Sequence, residues 1–302
     1  GLGALASGIS VHSDIVAPYI LHLGTAEQKE QILPRMVTGE FVGAIAMTEP
    51  GAGSDLQNIK TSAIRDGDEF VINGSKTFIT NGQHSDVVIV AAKTDPKAGA
   101  RGMTLFTMTC DTPGFRRGKN LEKMGLNSGD TSEMSFEDVR LPVAEILGGE
   151  GEGFANLMNE LPRERLILGV GCVGAADGIL EQTVSYVSER QAFGEPLSRL
   201  QNTRFELAEV KTDLELNRAL MEKCIDKYID GSLSTEEASM VKLASSEMQG
   251  KVVDRCLQLF GGYGYMKEYP IARAYVDARV QRIYGGTSEV MKELIARSLV
   301  GR

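Results

Sequence analysis

Histidine and cysteine are scarce in this 302-residue chain, and tryptophan is absent. The three histidines, His12, His22 and His84, show no metal-ligand spacing, so a metal site is not expected. The four cysteines are scattered and form no Cys-x-x-Cys pair. This pattern predicts reduced, mostly packed thiols in a reducing compartment rather than a disulfide framework.

Long apolar runs and an excess of positive charge are also missing. No apolar run approaches the ~20 residues that a bilayer span requires, and the first residues lack the basic region of a signal peptide. The net charge of −9 argues against a nucleic acid or an anionic membrane as a partner. The chain also lacks an initiator Met and begins within a helical pattern, so we expect further residues upstream.

The first 147 residues divide into a helical and a β-rich region. Apolar residues from Leu5 to Leu21 indicate a helix, and Thr25 is a candidate N-cap for a second helix that Pro34 should kink or break. Short β-rich runs then alternate with Gly, Pro and Asn turns, which predicts a compact antiparallel barrel or sandwich. These runs are 41–47, 69–72, 87–91, 104–109 and 134–136.

The remaining residues read as a helical bundle. A glycine-rich hinge at 148–153 precedes helices predicted near 153–189, 198–229, 234–260, 268–281 and 287–300. The predicted fold class is therefore α+β and multidomain. It comprises partial N-terminal helices (1–40), a central antiparallel β domain (41–147) and a C-terminal four-helix-type bundle (148–302).

Two glycine-containing motifs lie in the β region. Residues 46–55, Ala-Met-Thr-Glu-Pro-Gly-Ala-Gly-Ser-Asp, follow a predicted strand; their glycines and hydroxyls could bind an anion, or the segment could be an ordinary Pro-Gly turn. In residues 73–82 two Asn-Gly pairs bracket a strand, which is typical of hairpin turns. Phe78 and Thr80 could there meet the face and the polar edge of a flat ring.

Two further motifs lie in the helical region. Arg190-Gln-Ala-Phe-Gly194 could end a helix or hold a pyrophosphate. Residues 258–265 contain a Gly-Gly pair, and residues 283–289 place Gly285 and Gly286 before a helix that Thr287 or Ser288 could cap. Such a helix start suits an anion or a ring carbonyl, or it is simply a capped helix.

These four motifs, in this order and over essentially the whole chain, resemble the acyl-CoA dehydrogenase family, with an end most similar to the long-chain branch. The resemblance implies an FAD cofactor. It implies flavin contacts at Ile45, Met47, Thr48, Gly53, Ser54, Phe78 and Thr80, where the family often has Trp at the Phe78 position. It implies contacts with the FAD of a neighbouring subunit at Arg190, Phe193, Gln201, Gln258, Gly261 and Gly262. Thr287 and Glu289 would face the FAD near the active site, and Ser54, Arg165, Gly285 and Gly286 would meet the substrate.

One departure from the family pattern decides the catalytic base. Many members carry a Tyr-Glu-Gly-Thr motif, but here residues 284–287 are Tyr-Gly-Gly-Thr, so the carboxylate is missing. Glu164 lies among leucines at 157, 161 and 168 on one helical stripe, where burial would make it a stronger base, although it could instead be a surface residue. The long-chain and isovaleryl branches place their base in a Glu-Arg-Leu segment that matches residues 164–166, which favours Glu164.

The implied reaction is dehydrogenation of an acyl-CoA to a trans-2-enoyl-CoA. Glu164 would remove the α-proton while the flavin accepts the β-hydride, and electrons would pass to the electron-transferring flavoprotein. The resemblance also implies a homotetramer, or a dimer, in a bacterial cytoplasm or a mitochondrial matrix. Medium or long acyl chains are favoured over short ones.

Alternatives remain. A Gly-x-Gly-x-x-Gly pattern at 169–174 with Glu189 further on could indicate a nicotinamide-binding fold, but no β-α-β unit surrounds it. Within the flavin class, an isovaleryl or branched-chain dehydrogenase or an acyl-CoA oxidase is possible. The chain could also be an incomplete, non-catalytic fragment or scaffold, because the family has further N-terminal helices.

Overall fold

The computed structural model describes residues 7–301, so the predicted helical position Leu5 lies outside the described residues. Its contacts divide the chain into two compact units. The β unit comprises residues up to Lys123 together with Asn127–Glu160. The helical unit comprises Met124–Leu126 and the chain from Leu161 onward. The three-domain division at residues 40 and 147 stays a prediction.

The β unit begins with two helices. A π-helical segment, Val11–Val16, leads directly into α1, Ala17–Leu23. Helix α2, Ala26–Val37, starts at the predicted cap: the Thr25 hydroxyl accepts from the Gln28 amide, and the Gln28 side chain accepts from the Thr25 amide. Such a capping box stabilises a helix by about 1 kcal/mol. Pro34 lies inside α2 without ending it, so the predicted break is wrong.

Eight strands form one sheet in the β unit. They are β1 (Gly43–Ala46), β2 (Ser62–Asp66), β3 (Glu69–Thr80), β4 (Val87–Lys93), β5 (Met103–Thr109), β6 (Phe115–Asn120), β7 (Thr131–Pro142) and β8 (Ile146–Leu147). The order is β6-β7-β3-β2-β4-β5-β8, with β1 beside β4. Most pairs are antiparallel, but β1 runs parallel to β4 and a short β2–β4 contact is also parallel. The predicted central antiparallel β domain is therefore confirmed for most of the sheet, and the parallel pairing of β1 is a feature that was not predicted.

The sheet is covered on both faces. Every residue of β4 is buried, as expected for a central strand with apolar residues on both sides. One apolar cluster includes Tyr19 and Ile20 of α1 with Ile89 of β4, and a second cluster includes Val88 and Phe106. The N-terminal helices therefore share one core with the sheet.

The first Asn-Gly pair is not a turn. Asn73 and Gly74 lie inside β3, where the register with β7 shifts between Ile72 and Gly74. A Cβ at Gly74 would come within 2.7 Å of the Thr61 Cα, so the glycine permits a close approach of two backbones. The Asn73 side chain makes two hydrogen bonds with Asp138: its Nδ2 donates to the Asp138 carboxylate, and its Oδ1 accepts from the Asp138 main-chain amide. The predicted hairpin turn at this pair is therefore wrong, and the pair marks a bulge.

The helical unit has five α-helices. They are α3 (Gly153–Glu189, whose first residues belong to the β unit), α4 (Gln201–Ile229), α5 (Thr235–Phe260), α6 (Pro270–Ala278) and α7 (Ser288–Val300). Helices α3 to α6 share one apolar core that includes Val173, Leu214, Val252 and Ile271, and α7 packs against α5. This architecture confirms the predicted bundle. A small hairpin of β9 (Gln191–Ala192) and β10 (Glu195–Pro196) separates α3 from α4.

Helix α3 is an exception to the expectation that no segment could span a bilayer. Among residues 7–301 it alone is long and apolar enough to do so by length and composition. It also carries buried charged residues, including Arg163 and Arg165, and its apolar residues Val173 and Leu180 belong to the core of the bundle. These features are those of a core helix.

Candidate functional site

The loop after β1 is held by a buried ion pair. The Lys76 ammonium lies 2.9 Å from both the Glu49 carboxylate and the Met47 carbonyl, and Lys76 has no exposed side-chain surface. The Glu49 carboxylate also accepts hydrogen bonds from the main-chain amides of Lys60 at 2.6 Å and Thr61 at 2.9 Å. Although burial acts to raise it, these donors hold the pKa of Glu49 below its usual value. Burial lowers the pKa of Lys76 to about 8 against the attraction of Glu49.

The predicted flavin contacts in this loop are accessible. Ile45, Met47 and Thr48 are half-buried, and Gly53 and Ser54 are exposed. Glu49 and Ala52 pair through both main-chain hydrogen bonds, which closes a tight turn before Gly53. The space around a Cβ built at Gly53 is open, so a ligand could approach the backbone there. The segment is therefore both rigidly anchored and open on its ligand side.

Phe78 offers an exposed ring in an unusual backbone conformation. Its φ is +60°, and 67% of its surface is exposed although its neighbours Thr77 and Ile79 are buried. The register between β3 and β7 shifts between Lys76 and Ile79, so Phe78 lies on a bulge. The Thr77 amide donates to the Thr48 carbonyl at 2.9 Å. The structure thus brings the Phe78 and Thr48 segments together, with Thr80 half-buried at the end of β3.

A second group of predicted contacts lines an open cleft of about 610 Å³ in the helical unit. Arg190, Gln258, Gly261 and Gly262 all border it. The Arg190 guanidinium lies 5.4 Å from the centre of the Tyr263 ring, another residue of the cleft wall. The structure therefore groups four residues that are up to 72 positions apart in sequence around one cavity with a cation in its wall.

Two other predicted contacts do not border this cleft. Phe193 has a φ of +56°, is 95% exposed and occupies the tip of the β9–β10 hairpin with Gly194. Gln201 is an exposed residue in the first turn of α4. Their predicted contacts with the FAD of a neighbouring subunit stay predictions.

The predicted base, Glu164, is buried in α3. Only 9% of its surface is exposed, which excludes the interpretation that it is a surface residue. Leu157 and Leu161 on the same stripe are also buried. The adjacent Arg165 is 5% exposed, and burial lowers the pKa of its guanidinium while the Glu164 charge opposes the shift. A carboxylate in this setting can act as a general base if a substrate reaches it.

The segment before α7 has two glycines in a backbone conformation that L-residues rarely adopt. Gly285 has a φ of +63° and Gly286 a φ of +99°. A Cβ at Gly285 would lie 3.1 Å from the Leu168 side chain, close to the stripe that contains Glu164. Thr287 is the N-cap of α7, and its hydroxyl accepts from the Val290 amide at 3.3 Å. Of the two predicted caps, Thr287 is confirmed, and Glu289 is exposed in the first turn.

Sequence reasoning missed two buried lysines at these segments. Lys76 anchors the loop after β1, and the Lys242 ammonium donates to the Gly286 carbonyl at 2.6 Å. Both side chains are fully buried, an environment that lysine rarely occupies. The available signal was position: Lys76 precedes Phe78 by two residues, and Lys242 lies between apolar residues of a helix.

The Gly-x-Gly-x-x-Gly pattern does not form a dinucleotide-binding turn. Residues 169–174 lie within α3, with no strand directly before them. A Cβ at Gly169 would contact Val241 of α5 at 3.2 Å, which confirms close helix packing there. Gly171 and Gly174 face open space instead. The nicotinamide interpretation is therefore wrong, and the packing explanation holds for Gly169 only.

Comparisons with known proteins agree with this architecture. Acyl-CoA dehydrogenase family models match the chain with the N-terminal domain over residues 1–40, the middle domain over 44–139 and the C-terminal domain over 151–300. A mitochondrial long-chain specific acyl-CoA dehydrogenase of Rattus norvegicus is 52% identical over 97% of this chain and 69% of its own length. An acryloyl-CoA reductase (NADH) of Anaerotignum propionicum is 43% identical over 99% of this chain and 76% of its own.

The crystal structure of an acyl-CoA dehydrogenase from Geobacillus kaustophilus matches with a TM-score of 0.96 at 49% identity, over 97% of this chain and 78% of that one. Acyl-CoA dehydrogenases are flavin-dependent oxidoreductases that act on the CH–CH bond of an acyl-CoA. The chain belongs to the acyl-CoA dehydrogenase family.

FAD is the cofactor of this family, and the described residues fit it. The exposed Phe78 ring suits stacking on a flat heterocycle. The cleft beside Arg190 suits an anionic pyrophosphate, and the open backbone at Gly53 permits close approach of a ligand. These three features are accessible, whereas the residues that anchor them are buried.

Proposed function

We propose that this protein dehydrogenates medium- or long-chain fatty acyl-CoA thioesters at Cα and Cβ, with Glu164 as the general base. The observation that carries the proposal is the burial of Glu164 together with a glycine at position 285, where many family members have a glutamate. A carboxylate is needed to take the α-proton, and Glu164 supplies one on a different element.

The proposed roles follow from the environments of the side chains. Glu164 accepts the α-proton, and the buried Arg165 is the next residue of α3. Gly285 is exposed and Gly286 half-buried, so their backbone would be accessible to the thioester arm, and Ser54 would contribute a hydroxyl from the loop after β1. FAD, when bound, supplies the acceptor for the two electrons and the β-hydrogen that leave the substrate.

We further propose how the protein holds FAD. Ile45, Met47, Thr48, Gly53, Ser54, Phe78 and Thr80 would contact the flavin side of the cofactor, and Thr287 and Glu289 would face it near the active site. Arg190, Phe193, Gln201, Gln258, Gly261 and Gly262 would bind the FAD of a neighbouring subunit. This arrangement requires an oligomer, and we propose a homotetramer. The exposed apolar residues Val170 and Val184 of α3 are consistent with a subunit contact.

The choice of medium or long chains rests on similarity. The Rattus norvegicus relative, which is 52% identical, is named as long-chain specific. The physiological acceptor is proposed to be an electron-transferring flavoprotein. A second candidate, reduction of an enoyl-CoA, is suggested by the name of the Anaerotignum propionicum relative.

Anaerobic titration of the FAD-loaded protein with acyl-CoAs of short, medium and long chain tests the proposal. We expect loss of the visible flavin absorption, fastest with medium or long chains. Bleaching by none of the thioesters would reject the dehydrogenase. Fast oxygen consumption without an added acceptor would instead identify an oxidase, and flavin reduction by NADH would favour the reductase.

A further inference from the structure

Helix α5 carries a fully buried lysine directed at the substrate-side segment of the helical unit. Lys242 has 0% relative exposure, and its ammonium lies 2.6 Å from the Gly286 carbonyl oxygen. Gly286 is the second of the two left-handed glycines before α7, so this bond fixes a carbonyl in a segment that has an uncommon backbone conformation. The contact joins elements that are 44 positions apart in sequence.

Helix α5 holds the same segment at a second point. The Ser288 hydroxyl donates to the Glu247 carboxylate at 2.6 Å, one turn and a half of α5 beyond Lys242. Glu247 also lies 3.5 Å from the guanidinium of Arg282, a residue that precedes the glycine pair in sequence. The segment from 286 to 288 is thus bound to one helix by two charge-assisted hydrogen bonds, one to the Gly286 carbonyl and one from the Ser288 hydroxyl.

Burial makes this arrangement costly for the protein. An ammonium removed from water loses several kcal/mol of solvation unless bonds and charges compensate. Burial lowers the pKa of Lys242 to about 8. The positive charge of Arg165 adds to this shift, and Cys172, Glu247 and Glu289 oppose it. A methionine or leucine would fill the same space without this cost, so the position of the charge requires an explanation other than packing.

We infer that Lys242 is a positioning residue for the reaction proposed above. By binding the Gly286 carbonyl it fixes the backbone of residues 285–287, against which the thioester and the flavin would lie. Errors of about 1 Å in such a surface can cost on the order of 100-fold in rate, so a single anchor can have a large kinetic effect. The inference rests on the proposed function, because it concerns the same substrate.

The test compares Lys242→Met with Lys251→Met in the FAD-loaded protein. Lys251 lies on the same helix but is exposed, so its replacement controls for losing one lysine from α5. Three quantities are measured: the rate of flavin bleaching by acyl-CoA at saturation, the Kd of the apo-protein for FAD, and the thermal unfolding midpoint.

We expect Lys242→Met to lower the saturated bleaching rate by about tenfold or more and to weaken FAD binding, with an unfolding midpoint at or above that of the unmodified protein. Lys251→Met should change the rate by less than about twofold. Bleaching and FAD affinity like those of the control, or a rate loss that merely parallels a lower unfolding midpoint, would overturn the inference.

If Lys242→Met does not fold, Lys242→Leu repeats the test with a shorter, branched apolar side chain. Failure of the two proposals is distinguishable. No bleaching of the unmodified protein rejects the dehydrogenase and the inference together. Normal bleaching of both the unmodified protein and the Lys242 variant rejects only the positioning role.

Discussion

A buried lysine anchors a predicted site segment in each unit, but the two lysines have different partners. In the β unit, Lys76 donates to the Met47 carbonyl and to the Glu49 carboxylate. In the helical unit, Lys242 donates to the Gly286 carbonyl; Arg165 repels its charge, and the carboxylates of Glu247 and Glu289 attract it. A buried charge that is paired with an opposite charge can contribute to stability. A buried charge whose hydrogen bond goes mainly to a neutral carbonyl costs stability, so we expect it to have a functional role. The comparison predicts opposite responses to the same substitution.

The largest expected effect is a difference in unfolding free energy between the methionine variants of the two lysines. Lys76→Met should destabilise the protein by about 3–5 kcal/mol, because Glu49 would stay buried without its cation. Lys242→Met should be neutral or stabilising. Urea unfolding of both variants at neutral pH measures the difference. Equal losses for the two variants would remove the distinction, and Glu49→Gln combined with Lys76→Met should recover part of the loss.

A pH series measures how much the burial of Lys242 costs. Burial lowers the pKa of Lys242 to about 8, below its value of 10.5 in the unfolded chain. Between these two pH values the unfolded chain binds more protons, so this lysine makes stability rise with pH across that window. Relative to Lys242→Met, the unmodified protein should gain up to about 3 kcal/mol from pH 8 to 10.5. If the difference in unfolding free energy between the unmodified protein and Lys242→Met does not change over this range, the lowered pKa of Lys242 is contradicted.

A smaller effect is expected from two glycines of the helical unit. Gly285→Ala should destabilise by about 1–2 kcal/mol, because an L-residue is strained at φ +63° and its Cβ would press on Leu168. Gly171→Ala should stabilise by up to about 1 kcal/mol, because Gly171 is an exposed position inside α3 with open space around it. Thermal unfolding of the pair measures both signs, and a stabilising Gly285→Ala would show that the turn is not strained.

The helices were the most predictable part of the fold. Residues 153–189 were predicted as one helix and α3 has the same bounds, because a glycine-rich turn precedes it and Arg190 follows in a hairpin. The caps at Thr25 and Thr287 were also readable, since hydroxyl residues before a helical pattern have a local reason to be there.

The sheet was less predictable, because its pairings join residues that are distant in sequence. Strand β6 is almost entirely exposed and rich in basic residues, so no apolar alternation marks it. Such charged edges are common in natural sheets because they discourage aggregation. The parallel pairing of β1 with β4 and the bulge at Gly74 depend on tertiary contacts and leave no local signal.

The sequence motifs of the candidate site could be predicted, but the buried lysines that hold them in place could not. Phe78, Arg190 and Gly285 lie in motifs that the sequence displays, and the structure shows them accessible or in conformations that suit a ligand. Lys76 and Lys242 could not be singled out, because lysines are usually solvated and their burial is decided by the fold.

The central claim is that Glu164 is the base, and Glu164→Gln tests it most directly. The exposed Glu181 of α3 provides a matched control, Glu181→Gln. We predict that Glu164→Gln keeps FAD and its unfolding midpoint but loses bleaching by acyl-CoA by about 1,000-fold or more, while the control bleaches normally. Bleaching of Glu164→Gln at the rate of the control would contradict the account.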